Sequence, residues 1–230
     1  MSLLVTGTDT EVGKTYVSCI IARELAEQAG SLGVFKPACS GAAQDENGNW
    51  HWADLDALAA AAGIEDPHSI SPFRFRAPLA PYLSAQAESQ AVDVATILES
   101  FNKTKNEHDT VLVEGVGGLL CPLTHEYLVA DFAQDAGLPL LIVARLGLGT
   151  LNHTLLTVEA AKKRGLRVIG IVLSDGDNTP SDVSTQSNPH EIARLTDVPV
   201  LGVVPYGSNS ILDANTRRPV KIEWIQLVKS

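Results

Sequence analysis

The sequence has little of what membrane, secreted or nucleic-acid-binding proteins need. Its 230 residues carry 17 Lys and Arg against 27 Asp and Glu, a formal net charge of −10, with no basic run. We therefore expect neither nucleic acid nor an anionic membrane as a partner. No apolar stretch approaches the roughly 20 residues that span a bilayer. The N-terminal stretch MSLLVTGTDTEVGK has no basic region ahead of a long apolar run, so we expect no secretory signal and a cytoplasmic location.

Cysteine is also scarce. Cys19, Cys39 and Cys121 are widely spaced and form no C-x-x-C pair. This spacing predicts neither a disulfide framework nor a zinc site. Free thiols in a reducing compartment fit it best.

Short apolar runs alternate with helical patterns along the chain. We predict strands at 2–6, 33–36, 110–115, 138–144, 167–174 and 198–205, and helices at 14–29, 54–62, 91–103, 151–164 and 188–196. We predict mostly loop at 66–90, a mobile polar loop at 176–188, and no definite structure after 206. Strands that are apolar on both faces and separated by helices indicate a parallel sheet covered on both sides.

The expected architecture is a doubly wound, mostly parallel α/β domain with helices on both faces of its sheet. A hydrophobic content of 45% over this length suits one sizeable core, so we expect residues 1–230 to form a single domain. Ligands of such sheets bind at the carboxyl ends of the strands.

Residues 7–15, GTDTEVGKT, end like a phosphate-binding loop (P-loop), although five residues rather than four separate Gly7 from Gly13. The motif follows a strand and opens a helix, as such a loop requires. Gly13 allows close approach of the backbone to phosphate, Lys14 can reach the β- and γ-phosphates, and the Thr15 hydroxyl can ligate Mg²⁺. These features predict a nucleoside triphosphate site in a P-loop NTPase-like fold.

The front half of this loop is unusual. Asp9 stands where one large branch of P-loop ATPases carries a second lysine, five residues ahead of Lys14. The reversed charge indicates that this end of the loop faces a cation such as an amine. The other interpretation is that the Asp9 carboxylate caps the turn.

Polar residues stand at the ends of two further predicted strands and at the start of a predicted helix. Lys36 comes after the second strand in KPACSG, and Glu114 ends a strand in EGVGG. Asp54 heads a helix, where an N-cap is its alternative role, and Asp56 competes with it as a metal ligand. With Thr15, Asp54 and Glu114 would supply the hard oxygen ligands that Mg²⁺ uses beside phosphate and water. A salt bridge to Lys14 or Lys36 is the alternative role for Glu114.

The segment GLGTLNH (147–153) opens a predicted helix and offers a second anion site. Gly149 and Thr150 leave free N–H groups at its N-terminus. Such a site suits a carboxylate. An ordinary capped helix is the alternative.

The segments GTDTEVGKT, KPACSG, EGVGGLL and GTLNHTLLT, in this order and spacing, resemble the dethiobiotin synthetase family from residue 3 to about 206. The resemblance implies a biotin-biosynthesis enzyme that uses 7,8-diaminononanoate, CO₂ or bicarbonate, and ATP with Mg²⁺. One amine forms a carbamate, whose oxygen attacks the γ-phosphate to give a carbamic–phosphoric anhydride. The second amine then closes the ureido ring.

The resemblance also implies roles at matching positions. The implied catalytic residues are Lys36 and Lys14, with Thr10 beside them, and the implied Mg²⁺ ligands are Thr15, Asp54 and Glu114. The implied nucleotide-binding residues are Glu11, Val12, Gly13, Lys14, Thr15, Tyr16, Asp54, Ser174, Pro205 and Tyr206. The implied diamine-binding residues are Ser40 and Gly117, together with Gly149, Thr150, Leu151 and Asn152 from the partner subunit of a homodimer.

One position departs from the family pattern. Members that recognise adenine carry an asparagine just after the strand that ends here at Leu173, whereas this chain has Ser174. A serine lacks the paired donor and acceptor of an amide, so the preferred base stays open.

Two rival functions stay open as well. A cobyrinate-type amidoligase usually carries a glutamine-hydrolysing domain, for which we expect this chain to be too short. A partner-regulated, positioning-type ATPase switch is disfavoured by Asp9 and by the lack of a basic amphipathic C-terminal helix.

Overall fold

The computed structural model describes residues 1–176 and 183–229. Its strands are β1 (Ser2–Gly7), β2 (Leu32–Phe35), β3 (Cys39–Ser40), β4 (Ala43–Gln44), β5 (Trp50–His51), β6 (Arg74–Phe75), β7 (Thr110–Gly118), β8 (Leu140–Arg145), β9 (Val168–Ser174) and β10 (Val200–Val204). Six of them form one sheet in the order β10-β9-β8-β1-β7-β2. Each neighbouring pair is parallel. The predicted parallel α/β architecture is confirmed.

Helices cover both faces of this sheet. They are α1 (Lys14–Gln28), α2 (Ala53–Ala62), α3 (Pro81–Ala87), α4 (Val94–Glu107), α5 (Val129–Asp135), α6 (Thr150–Lys163), α7 (Val183–Thr196) and α8 (Trp224–Lys229). Side chains alternate along β1: Leu4 joins the core cluster of α4 and α5, and Leu3 and Val5 join that of α1 and α8. Among the described residues, none of these helices has the length and hydrophobicity to span a bilayer.

Some segments differ from the sequence prediction. The stretch 66–90 contains a 3₁₀ turn at Pro67–Ile70 and the helix α3, rather than loop alone. Pro81 opens α3 because a first-turn residue needs no intrahelical N–H bond. Helix α5 lies where no element was predicted. Helix α7 begins at Val183, so the predicted mobile loop is helical from there on. Residues 177–182 lie outside the described residues.

The tail after residue 206, which the sequence left unassigned, packs against α1. The fully buried Trp224 donates its indole N–H to Glu24 Oε2 at 2.6 Å. Its backbone N–H donates to Gln28 Oε1 at 3.1 Å, and Gln28 Nε2 donates to Ile222 O at 2.9 Å. The tail is therefore anchored to α1 through Glu24 and Gln28.

Trp224→Ala is expected to destabilise the protein by about 3–5 kcal/mol, because truncating a large buried side chain leaves a cavity. Trp224→Phe keeps most of the ring and is expected to lose only about 1.5–3 kcal/mol with the indole hydrogen bond to the Glu24 carboxylate. Urea unfolding measures both. Trp50→Ala, at a 39% exposed position, is the control. Equal effects of Trp224→Ala and Trp50→Ala would contradict the anchoring role of the tail.

Candidate active site

The loop after β1 folds tightly over the start of α1. The Thr8 N–H donates to Val143 O at 3.0 Å, which ties the loop to β8. Gly13 is the N-cap of α1 and has φ of 86°. A Cβ at this position would lie 2.4 Å from Ser174 Oγ. Glycine fits here because the corner needs a left-handed backbone and no side chain.

Asp9 is used within the loop. Its Oδ1 accepts the N–H of Thr10 at 2.7 Å, and its backbone carbonyl accepts Lys14 Nζ at 3.1 Å. Asp9 thus bonds to its neighbours within the loop, while its carboxylate stays exposed. The exposed side chain also lines two smaller cavities together with His153.

Four side chains from different elements meet beside the loop. Lys36 Nζ lies 2.5 Å from Asp54 Oδ2 and 2.6 Å from Glu114 Oε1. Thr15 Oγ1 lies 3.0 Å from Asp54 Oδ1 and 3.0 Å from Glu114 Oε1. Lys36 directly follows β2, and Glu114 lies on the neighbouring strand β7. Parallel pairing of these two strands brings the two side chains to the same edge of the sheet.

The charged groups in this cluster shift one another's pKa values. Burial opposes a charged Lys36, but the carboxylates of Glu114 and Asp54 outweigh it and hold the pKa of Lys36 above its ordinary value. Burial alone would raise the pKa of Asp54, whereas the Lys36 ammonium reverses this and holds that pKa below its ordinary range. Burial lowers the pKa of Lys14 despite the attraction of Glu114. Lys14 thus gives up its proton more readily than an ordinary lysine.

One oxygen of the cluster is left unsatisfied. Glu114 is fully buried, and its Oε2 has no hydrogen-bond partner among the described residues. An unpaired buried carboxylate oxygen is unfavourable, and a hard cation is a partner that such oxygens favour. Asp54 keeps 43% of its side chain exposed, so its carboxylate is open to a ligand. Thr15, Asp54 and Glu114 therefore fit a Mg²⁺ ion.

A cavity of about 350 Å³ lies in front of this cluster. The predicted residues that line it are Thr10, Glu11, Gly13, Lys14, Thr15, Tyr16, Lys36, Ser40, Asp54 and Gly117. Val116 also lines the cavity. The sequence prediction missed this residue although it lies within the EGVGG segment. Asp56 lies apart, with its Oδ2 3.2 Å from His51 Nδ1. The geometry therefore favours Asp54 over Asp56 at this cavity.

Some predicted nucleotide-binding side chains lie outside this cavity. Val12 is buried in the core, and Ser174 is buried behind Gly13 with 1% of its surface exposed. Pro205 lines a separate cavity of about 600 Å³, together with Asp175 at the end of β9. Tyr206, the next residue, is 60% exposed.

The start of α6 is also separate from the main cavity of the same chain. Gly149 and Thr150 line a small cavity of about 60 Å³ beside Asp9. Leu151 and Asn152 follow in the first helical turn. Gly149 has φ of 89°, and no side chain of the described residues caps this helix.

Comparison with known proteins gives the family. A family model described as an AAA domain matches residues 1–211. The ATP-dependent dethiobiotin synthetase of Anaeromyxobacter dehalogenans is 46% identical over 206 residues, which cover 89% of this chain and 89% of the relative. The chain belongs to the dethiobiotin synthetase family. Proteins of the same name from Bacillus velezensis and Endomicrobium trichonymphae are 41% and 42% identical, over 89% and 92% of this chain and 86% and 94% of theirs.

Solved structures outside the dethiobiotin synthetase family share the fold. The MinC:MinD cell division protein complex of Aquifex aeolicus has a TM-score of 0.54 at 12% identity, covering 95% of this chain and 86% of that one. A ParA family ATPase from Chlorobium tepidum has a TM-score of 0.54 at 16% identity, covering 90% and 85%. At these identities the likeness concerns the fold alone, and it confirms the predicted P-loop NTPase-like fold.

Proposed function

We propose that this chain is an ATP-dependent dethiobiotin synthetase. It carboxylates 7,8-diaminononanoate with CO₂ and closes the ureido ring, with release of ADP and phosphate in the cytoplasm. Membership of the family supports an ATP-dependent ligase that forms C–N bonds. The observation that carries the proposal is the convergence of Lys14 and Lys36 on one cavity at the phosphate-binding loop.

The phosphate loop holds the triphosphate in this proposal. Backbone N–H groups from Glu11 to Tyr16, at the N-terminus of α1, favour an anion. The Lys14 ammonium neutralises the β- and γ-phosphates, and a bound phosphate also favours the charged form of this lysine. Mg²⁺ held by Thr15, Asp54 and Glu114 would supply further positive charge at the phosphates.

The diamine end of the cavity holds the second substrate. One amine adds to CO₂ and loses a proton, which gives a carbamate. The carbamate oxygen attacks the γ-phosphorus while the bond to the β-phosphate oxygen breaks and ADP leaves. The second amine attacks the carbonyl carbon of the carbamic–phosphoric anhydride, the C–O bond breaks, and phosphate leaves.

Both phosphoryl transfer and ring closure develop negative charge on oxygen. Lys36 is held rigidly by two carboxylates and Lys14 by the loop carbonyl of Asp9. Preorganised cations of this kind stabilise the transition state without reorganisation at the moment of reaction. Thr10, Ser40 and Gly117 line the cavity where the diamine would bind.

The remaining contacts come from other parts of the fold. We propose that the substrate carboxylate binds at Gly149, Thr150, Leu151 and Asn152 of the partner subunit in a homodimer. The N-terminus of α6, which no described side chain caps, supports this role because its first N–H groups attract an anion. We propose the cavity lined by Pro205 for the nucleobase, with Tyr206 beside it. Ser174 would act there through its backbone, since its side chain packs behind Gly13.

A positioning-type ATPase switch is the competing function. The second loop lysine of such a switch is replaced here by Asp9, whose carboxylate accepts the N–H of Thr10. The sequence similarity to the family relatives also extends over most of this chain and most of each relative. Both observations favour the synthetase.

The decisive experiment is mass spectrometry of the product formed from 7,8-diaminononanoate, ¹³C-bicarbonate, ATP and Mg²⁺. We expect dethiobiotin that carries one labelled carbon, and phosphate release that needs both the diamine and bicarbonate. Reactions that lack one component at a time are the controls. Phosphate release that is indifferent to the diamine, or an amide made from glutamine, would instead support a rival function.

A further inference from the structure

The structure assigns Trp52 as a positioning residue that holds Asp54 and the segment at Ser40 in a fixed relation across the site. This inference rests on the proposed function, which gives Asp54 a Mg²⁺ ion and Ser40 the diamine as ligands. Trp52 touches neither ligand in the proposal. It acts through the elements that carry Asp54 and Ser40.

One backbone carbonyl joins these elements. The Trp52 indole Nε1 donates to Phe75 O at 2.9 Å, inside the protein. The same oxygen accepts the N–H of Gly41 at 3.1 Å, next to Ser40 in the chain. Strands β3 and β6 pair in parallel at this point, with Ser40 opposite Phe75. The indole and the Ser40 segment are thus anchored to a single atom.

Trp52 also sets the start of α2. It is the N-cap residue of that helix, with φ of −118° and ψ of 107°. Its carbonyl accepts the N–H of Asp56 at 3.0 Å, which begins the helical bonding. Within residues 1–176 and 183–229, no side chain caps this helix. The anchored indole therefore fixes the direction in which the first turn, with Asp54, leaves the cap.

The ring itself has little freedom. Trp52 is 8% exposed, and the His68 ring meets it edge-on at 87° with centroids 5.6 Å apart. Arg74 lies over it at 5.9 Å. The Arg74 guanidinium is held by His68 O at 3.0 Å and Ser71 O at 2.6 Å. A rotation of the indole would break several contacts at once, so the position of its N–H is set by packing.

Trp52→Phe tests the assignment because it keeps an aromatic ring and removes the N–H. Phe75 O retains the Gly41 donor, so no carbonyl is left unsatisfied. Calorimetric titration measures the affinity for ATP once in the presence of Mg²⁺ and once in EDTA. The ratio of the two affinities gives the Mg²⁺ contribution to nucleotide affinity. We expect that contribution to fall about three- to tenfold, the range for one neutral hydrogen bond, with affinity in EDTA unchanged. We also expect the KM for 7,8-diaminononanoate to rise by a similar factor.

The matched control is Trp50→Phe. Trp50 is two residues away, exposed, and packed on Arg76 at 5.5 Å. The substitution Trp50→Phe should leave the Mg²⁺ contribution to nucleotide affinity and the KM for 7,8-diaminononanoate unchanged. Trp52→Phe combined with Asp54→Asn should show no further loss of the Mg²⁺ contribution beyond Asp54→Asn alone, because Trp52 acts through Asp54.

A purely structural tryptophan gives a different result. If Trp52 had only a structural role, Trp52→Phe would lower the thermal midpoint but leave the Mg²⁺ contribution to nucleotide affinity and the diamine KM at wild-type values. That outcome overturns the assignment. If Trp52→Phe does not fold, Trp52→Tyr takes its place with the same criteria. Absence of dethiobiotin from the wild-type protein would refute the proposed function separately, since the calorimetry needs only ATP and Mg²⁺.

Discussion

Lys36→Met is expected to lower kcat about 10²- to 10³-fold, the usual effect of removing one preorganised group that stabilises transition-state charge. Nucleotide affinity should change little. The reason lies in the contacts: Lys36 Nζ bonds to Asp54 and Glu114, whereas the phosphate loop has its own cation in Lys14. Diamine-dependent phosphate release and calorimetric titration with nucleotide measure the two quantities.

The same substitution should also affect stability. Methionine keeps the packing of the stem but leaves Asp54 and Glu114 without their ammonium. Removing one partner of a buried ion pair costs about 3–5 kcal/mol. A second change, Glu114→Gln, should recover part of that stability without restoring turnover. Lys163→Met, on the exposed end of α6, is the control. A folded Lys36→Met protein with wild-type turnover would remove Lys36 from the mechanism.

The charge cluster could be predicted from sequence because Lys36 directly follows a strand, Thr15 and Asp54 lie in first helical turns, and Glu114 follows an apolar run in a strand. Strand β2 ends just before Lys36, and its parallel pairing with β7, Phe35 opposite Val113, brings Lys36 and Glu114 together. Thr15 is fixed by the phosphate-loop motif. In these cases a short local pattern determines which edge of the sheet a side chain occupies.

The parts that could not be predicted depend on contacts between distant segments. Helices α3 and α5 have seven residues each, which is too short for a clear helical period. The position of Ser174 suggested a base-binding side chain, but its hydroxyl packs against Gly13. A single tryptophan ahead of a helix, such as Trp52, has no pattern that separates a positioning role from ordinary packing.

Gly13→Ala is expected to weaken nucleotide binding by at least about 100-fold. At a φ of 86° an alanine loses about 1–2 kcal/mol to steric strain. Its methyl group would also lie 2.4 Å from Ser174 Oγ, and overpacking of this kind costs about 1–3 kcal/mol. The phosphate-binding loop must move to relieve the backbone strain and the collision with Ser174. Its N–H groups then no longer converge on phosphate. Titration with a fluorescent nucleotide measures the loss.

Two further variants separate strain from collision. Gly63→Ala has a similar φ of 71°, but no heavy atom of the described residues lies within 4 Å of the added methyl. It should lower stability by about 1 kcal/mol and leave nucleotide affinity intact. Gly13→Ala with Ser174→Gly removes the collision and should recover part of the affinity. If the double variant binds no better than Gly13→Ala alone, the backbone angle rather than contact with β9 makes glycine necessary at this corner.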